Sequence, residues 1–316
     1  MRSRGWGYAG VLAVALALPF LVDDVVLWMK VLCFALFACA FNLLLGYAGL
    51  LSFGHAAFLG SAGYVTGHLV KEVGLPTEVG LLAGTAFAAV LGLGFGALAI
   101  RRQGIYFAMI TLALSQLVYF AAVQMPFTHG EDGLQAIPRG RLLGVVDLGS
   151  DRALYYVVLG IFVLGFLLIQ RTIHSPFGQV LRAIKENEPR AISLGYDVNR
   201  YKLMAFVISA ALSGLAGSTK ALVFQLESLT DVQWHMSGEV VLMTLLGGMG
   251  TLLGPVAGAF VLVMIEDYFA SLGEWVPVIM GGIFVFCVLV FRRGLVGEAV
   301  ALLKKAPRTQ EGGAAS

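Results

Sequence analysis

Few residues in this chain could do chemistry, and their positions exclude more than they permit. Glu239, Glu266, Asp267 and Lys30 are associated with its long apolar runs, yet each falls near the end of a run. The run centres carry neutral polar groups instead, namely Asn42, Thr111, Ser115, Gln116, Ser209 and Thr244. An ionisable group at the centre of a bilayer costs at least ~2.5–3.5 kcal/mol and, where it occurs, marks a proton or ion relay. A carrier driven by an ion gradient is expected to place a carboxylate there, and this chain does not. None of its seven lysines is followed by Ser or Thr, so the phosphate-cradling G-x-x-x-x-G-K-[ST] loop is missing too. No His, Asp or Glu cluster stands at catalytic or metal-ligating spacing. No metal, directly bound cofactor or catalytic residue is therefore expected. Cys33, Cys39 and Cys287 sit in apolar blocks, where they read as small packing residues. If the protein moves a solute, another chain must supply the energy.

Glycine supplies the other chemistry, that of the backbone. The stretch GYAGLLSFGHAAFLG (46–60) interrupts an apolar run with Gly46, Gly49, Ser52 and His55, close behind Asn42. A second break, GGMGTLLGP (247–255), contains Gly247, Gly248, Gly250 and Gly254. Irregular backbone at membrane depth persists only when buried in protein or lining a wet cavity. These nine residues are therefore candidates for a pathway or gate, with an ordinary tight turn between spans as the alternative. For His55, simple packing is also open. Paired breaks in two halves of a chain can mark an internal repeat. Bulky replacement of Gly49 or Gly248 is expected to block transport and leave assembly intact.

These residues need elements to hold them. Hydrophobic residues make up 59 % of the chain, charged residues 13 %, and the mean hydropathy is +0.86. A soluble chain carries about a quarter charged residues. The apolar blocks also reach the ~20 residues that a membrane helix needs. The fold class is thus an all-α, polytopic helical membrane protein, a single transmembrane domain over 1–316 with a disordered tail about 304–316. Spans are expected near 7–22, 25–46, 55–70, 79–100, 104–125, 153–170, 201–223, 238–247, 255–270 and 275–291. The 238–247 member is short. MRSR and the small residues at 15–17 could belong to a cleaved signal peptide, but the run continues to Val22, which favours a retained span. Glycine pairs four apart (63/67, 80/84, 92/96, 250/254/258) suit close helix packing in lipid.

Charge orients this array. With the N-terminus in the cytoplasm, 15 Lys and Arg fall inside and six outside, as the positive-inside rule requires, and both termini lie inside. The largest outer loop, 126–152, is polar and offers a landing surface for an external partner. The near-neutral net charge of +2 gives no reason to expect nucleic acid.

One polar stretch interrupts the apolar pattern. In TIHSPFGQVLRAIKENEPRAISLG (172–195), Ser175 and Pro176 begin a helix. Phe177, Val180, Leu181 and Ile184 then form a stripe at helical spacing, with Arg182 and Lys185 off it. Pro189 begins a second short helix that Gly195 ends. A cytoplasmic helix pair of this kind can insert into a groove on a partner or lie on anionic lipid.

Four blocks, FNLLLGYAGLLSFGHAAFLGSAGY (41–64), GIYFAMITLALSQ (104–116), SPFGQVLRAIKENEPRAISLGYDVNRYKLMAFVISAALSGLAG (175–217) and LLGGMGTLLGPVAGAF (245–260), together resemble the permease subunits of branched-chain amino acid importers of the ATP-binding-cassette class. The resemblance implies a bacterial inner-membrane location and a coupling loop about 172–200 that contacts an ATPase. Phe177, Val180, Leu181, Arg182, Ile184, Glu188, Ala191 and Gly195 would be its contact residues. The importer motif E-A-A-x-x-x-G is matched only loosely, by Glu188, Ala191 and Gly195. Also implied are a second permease, two cytoplasmic ATP-binding subunits that hold ATP and Mg, and an extracytoplasmic binding protein. The implied substrates are leucine, isoleucine and valine, with urea, short amides or aromatic acids as the choices of similar importers. A stand-alone carrier or channel is the alternative from another class.

Overall fold

The computed structural model describes residues 15–20, 22, 24–142, 144, 146–290 and 294–298. Apolar runs become helices almost throughout: α1 (Val25–Asn42), α2 (His55–Lys71), α3 (Thr77–Ala99), α4 (Ile105–Gln124), α5 (Asp151–His174), α6 (Pro176–Glu186), α7 (Glu188–Ser193), α8 (Val198–Phe224), α9 (Trp234–Gly247), α10 (Gly254–Tyr268) and α11 (Val276–Val290). Short polar side chains start several of them. Asp24 accepts from the Leu27 amide, Ser150 from Ala153 and Asp197 from Arg200, each meeting an amide that the helix leaves unpaired.

Five helical stretches among the described residues are long and apolar enough to cross a membrane by length and composition: Val25–Ala48, Thr77–Ala99, Ile105–Gln124, Asp151–His174 and Val198–Phe224. The expected spans at 55–70, 238–247, 255–270 and 275–291 are helices of 17, 14, 15 and 15 residues. These fall short of the ~20 residues of a full apolar crossing. The expected span at 7–22 and the tail at 304–316 lie largely or wholly outside the described residues.

The long helices divide into a centre and a periphery. The apolar windows of α1 with its extension and of α8 are 89 % and 78 % buried, against 33 %, 28 % and 39 % for α3, α4 and α5. The central α8 packs on α1, α2 and α3. Lipid is as apolar as leucine, so close backbone approach replaces hydrophobic drive. A β-carbon on Gly84 would meet the Thr66 and Ser218 hydroxyls, one on Gly92 the Ala210 methyl, and one on Gly217 the Leu59 backbone. Lys30 and Glu266 pair at 2.9 Å and tie α1 to α10.

The two ends of the bundle differ. At one end α5 runs into α6 and α7 before α8 returns. At the other, residues 126–150 form a folded cap rather than an open polar loop. Strand β1 (Leu134–Gln135) pairs antiparallel with β4 (Leu226–Glu227), and β2 (Arg141–Leu142) with β3 (Val146–Asp147). Leu134, Ile137 and Leu148 are buried beneath it. Arg139 anchors the cap by pairing with Asp151 at 2.6 Å and donating to the Val223 carbonyl at 3.0 Å.

Because Gly217 meets backbone that no rotamer change can move, Gly217→Val should cost at least about 1–3 kcal/mol. The expected result is a lower unfolding midpoint and less monodisperse protein in detergent, whereas the lipid-facing Leu93→Val should change neither.

Candidate functional site

The last turn of α1 widens into a π-helical turn, Leu43–Ala48. The Leu50 amide, which would serve the Gly46 carbonyl in a continuing α-helix, turns to Leu44 at 3.2 Å. Gly49 then takes φ +72°, a left-handed conformation that costs an L side chain about 1–2 kcal/mol. The chain re-enters helix at His55. Three hydroxyls accept from the amides around that start: Ser52 from Gly54 at 3.1 Å, Thr111 of α4 from Phe53 at 3.1 Å, and Ser237 of α9 from Ala56 at 2.9 Å.

His55 is fully buried, with Nε2 2.8 Å from the Ser209 hydroxyl. Because that hydroxyl donates to the Ala40 carbonyl at 2.6 Å, Nε2 carries the hydrogen toward Ser209. The rings of Phe41, Phe58 and Phe206 present edges to it at 4.9, 5.5 and 6.0 Å. His55 is thus a packed core histidine inside an aromatic cage, the packing alternative open to it from sequence.

The second break meets the first directly. Gly248 and Gly250 take φ +115° and +72°, and the Thr251 hydroxyl accepts from the Gly254 amide at 3.0 Å, just ahead of α10. Asn42, at the end of α1, accepts from the Gly250 amide at 3.0 Å and donates to the Thr251 carbonyl at 2.9 Å. A β-carbon on Gly46 would strike the Asn42 amide and stand 2.8 Å from the Gly250 nitrogen. On Gly247 it would land on the Gly254 carbonyl. Asn42, Gly46, Gly247, Gly250 and Gly254 are therefore one knot, although the two breaks lie some two hundred residues apart in sequence.

The polar helix pair closes on this knot. Ser175 caps α6 through the Gly178 amide, with Pro176 in the first turn, and Gly195 ends α7 at φ +86°. The Lys185 ammonium donates to the Gly46 carbonyl at 2.7 Å, and its stem leaves 3.0 Å for a β-carbon on Gly49. The Arg182 guanidinium sits 5.1 Å over the Tyr47 ring.

The apolar stripe of α6 faces inward. Leu181 and Ile184 are 0 % and 2 % exposed against this chain's own helices, Phe177 stacks on Tyr201 at 5.6 Å, and Val180 packs with Ile184, Ala191 and Val198. Glu188 pairs with Lys202 of α8 at 2.7 Å. Phe177, Val180, Leu181, Ile184, Glu188 and Ala191, expected as partner contacts, thus fasten the helix pair to its own bundle. Periodicity shows that a face is covered, not by what. The side left open carries Arg190, Ile192, Leu194 and Tyr196, with Ile192 and Leu194 58 % and 68 % exposed. Sequence reasoning missed Lys185, Tyr47 and Thr251 as site residues. Tyr47 and Thr251 each lie within a break that the sequence singled out.

Asn42→Leu keeps the branched side-chain shape but strips partners from the Gly250 amide and the Thr251 carbonyl. A loss of about 1–3 kcal/mol in unfolding free energy is expected, and an unchanged unfolding midpoint would mean that the breaks do not depend on each other.

Residues 25–291 match the family model described as branched-chain amino acid transport system / permease component. The high-affinity branched-chain amino acid transport system permease proteins LivM of Escherichia coli and Salmonella typhimurium are 28 % and 27 % identical, each over 90 % of this chain and 73 % of the relative. The autoinducer 2 import system permease protein LsrC of Klebsiella pneumoniae is 28 % identical over 64 % of this chain and 60 % of its own. No solved structure matches.

Proposed function

Because the chain belongs to the branched-chain amino acid transport system / permease component family, we propose that it carries branched-chain amino acids across the membrane as one permease of an importer driven by ATP hydrolysis on separate subunits. It is a multi-pass inner-membrane permease component of the ATP-binding-cassette class. The finer reading adds a second permease, two cytoplasmic ATPases with ATP and Mg, an extracytoplasmic binding protein that lands on the cap, and both termini inside.

The observation that carries this reading is the contact of Lys185 with the Gly46 carbonyl at 2.7 Å. A partner that pushes α7 moves α6 with it, since Ile184, Ala191 and Val198 pack as one cluster. The Lys185 ammonium then pulls on the π-helical turn, and Asn42 passes the movement to the second break. Packed interfaces shift between discrete arrangements, so a small displacement of α6 becomes opening or closing of the knot. In this reading Gly46, Gly49, Gly248 and Gly250 form the cytoplasmic gate. The open face of Ile192 and Leu194 docks the ATPase.

Purification of the tagged chain from native membranes in mild detergent tests the assembly. A second permease and two ATP-binding proteins should co-purify, and Ile192→Asp with Leu194→Asp should remove the ATP-binding proteins. Lys185→Met should keep every partner but cut leucine uptake at least tenfold per ATP hydrolysed, with Lys185→Arg recovering much of it. The chain purifying alone, with uptake intact in liposomes, would overturn the importer reading. Competition of leucine uptake by unlabelled solutes, autoinducer 2 included, settles the substrate.

A further inference from the structure

At the end of the bundle opposite α6, three ionisable side chains are buried together. Lys220, near the end of α8, pairs with Asp231 at 2.6 Å, the two side chains 11 % and 7 % exposed. Glu227 on β4 is 0 % exposed, and among the described residues no group donates to either of its carboxylate oxygens. The second Asp231 oxygen is held by the Ser228 amide and hydroxyl, both at 3.3 Å. Glu227 is also pressed onto α2, where a β-carbon on Gly63 would collide with its carboxylate. The Tyr64 hydroxyl, from the same helix, is buried without a partner.

One ammonium thus faces two carboxylates where solvent cannot help. A buried charge without a counter-charge neutralises rather than persists. A further cation, Lys30, acts on Glu239 and is already paired with Glu266. Tyr64 comes from α2, Cys33 from α1 lies toward Lys220, and Glu239 of α9 adds negative charge toward Asp231. A proton restores the balance. Once Glu227 carries it, the two carboxyl groups hydrogen-bond to each other while Asp231 keeps its pair with Lys220.

We propose that Glu227 is a proton-binding site, a carboxylic acid at neutral pH that donates to Asp231 and closes a neutral Lys220–Asp231–Glu227 triad under the cap. Burial raises the Glu227 carboxyl well above the usual carboxylate range; the Asp231 charge adds to the rise and Lys220 opposes it. The cap depends on this residue, since the Glu227 backbone pairs with Leu134 and a β-carbon on Gly133 would strike its carbonyl. The folded chain holds a proton that the unfolded chain releases near its ordinary value of about 4.3. The resulting stability is complete below that value and is lost as pH rises through the folded one.

Infrared spectra of the full chain in detergent at neutral pH provide the test. Wild type should show a protonated carboxylic-acid C=O band that Glu227→Gln lacks. Asp231→Asn leaves one carboxylate for one ammonium, so Glu227 should ionise and the acid band vanish with Glu227 still present. The unfolding midpoint of wild type should fall toward alkaline pH more steeply than that of Glu227→Gln. A wild-type spectrum with no band lost in Glu227→Gln, or survival of that same Glu227 band in Asp231→Asn, overturns the proposal. If Glu227→Gln does not fold, the Asp231→Asn comparison decides alone.

Discussion

The Gly46 carbonyl has lost its helical donor, and a backbone group turned into the protein must find another. Left unpaired away from water, such a group costs about 1–3 kcal/mol. The Lys185 ammonium meets this requirement from another element, with the stronger hydrogen bond that a charged donor makes. Asn42 does the same for the second break, serving an amide and a carbonyl with one side chain. The knot of breaks and the seating of α6 follow from two irregular segments that cannot satisfy themselves.

The same constraint makes the arrangement movable. A helix interior is held by many parallel bonds, whereas the breaks are held by a few side chains reaching from α1, α4, α6 and α9. Shifting one of those side chains changes the pairing of the whole segment. Beside this soft point α8 meets α2 closely at Gly217, and α3 packs on the same two helices through Gly84 and Gly92. The opposite end has a different logic, with charge in place of orphaned backbone. There Lys220, Asp231 and Glu227 are buried under a cap that Arg139 and β1 hold down.

The polar helix pair has an inward and an outward face. Phe177, Val180, Leu181 and Ile184 do form a stripe, and Ser175, Pro176 and Gly195 bound the helices as their chemistry requires. The stripe is covered by Tyr201, Val198 and the central helices of the same chain. A soluble partner would satisfy the same periodicity equally well. What remains for a partner is the less periodic side at Arg190, Ile192 and Leu194.

The sequence by itself determined the membrane class, the helices, the two glycine breaks and the polar pair between α5 and α8. Those depend on composition, on spacing and on local chemistry such as caps and left-handed glycines, all of which act over a few residues. The tertiary structure alone decided that the breaks touch, that Lys185 reaches the first of them, and that Glu227 is buried beside Asp231. Asn42 and Gly250 lie 208 residues apart, and Lys185 and Gly46 139 apart. No local propensity encodes such a pairing. It follows from how closely glycine lets α1, α8, α9 and α10 approach, and that is settled only when the helices pack.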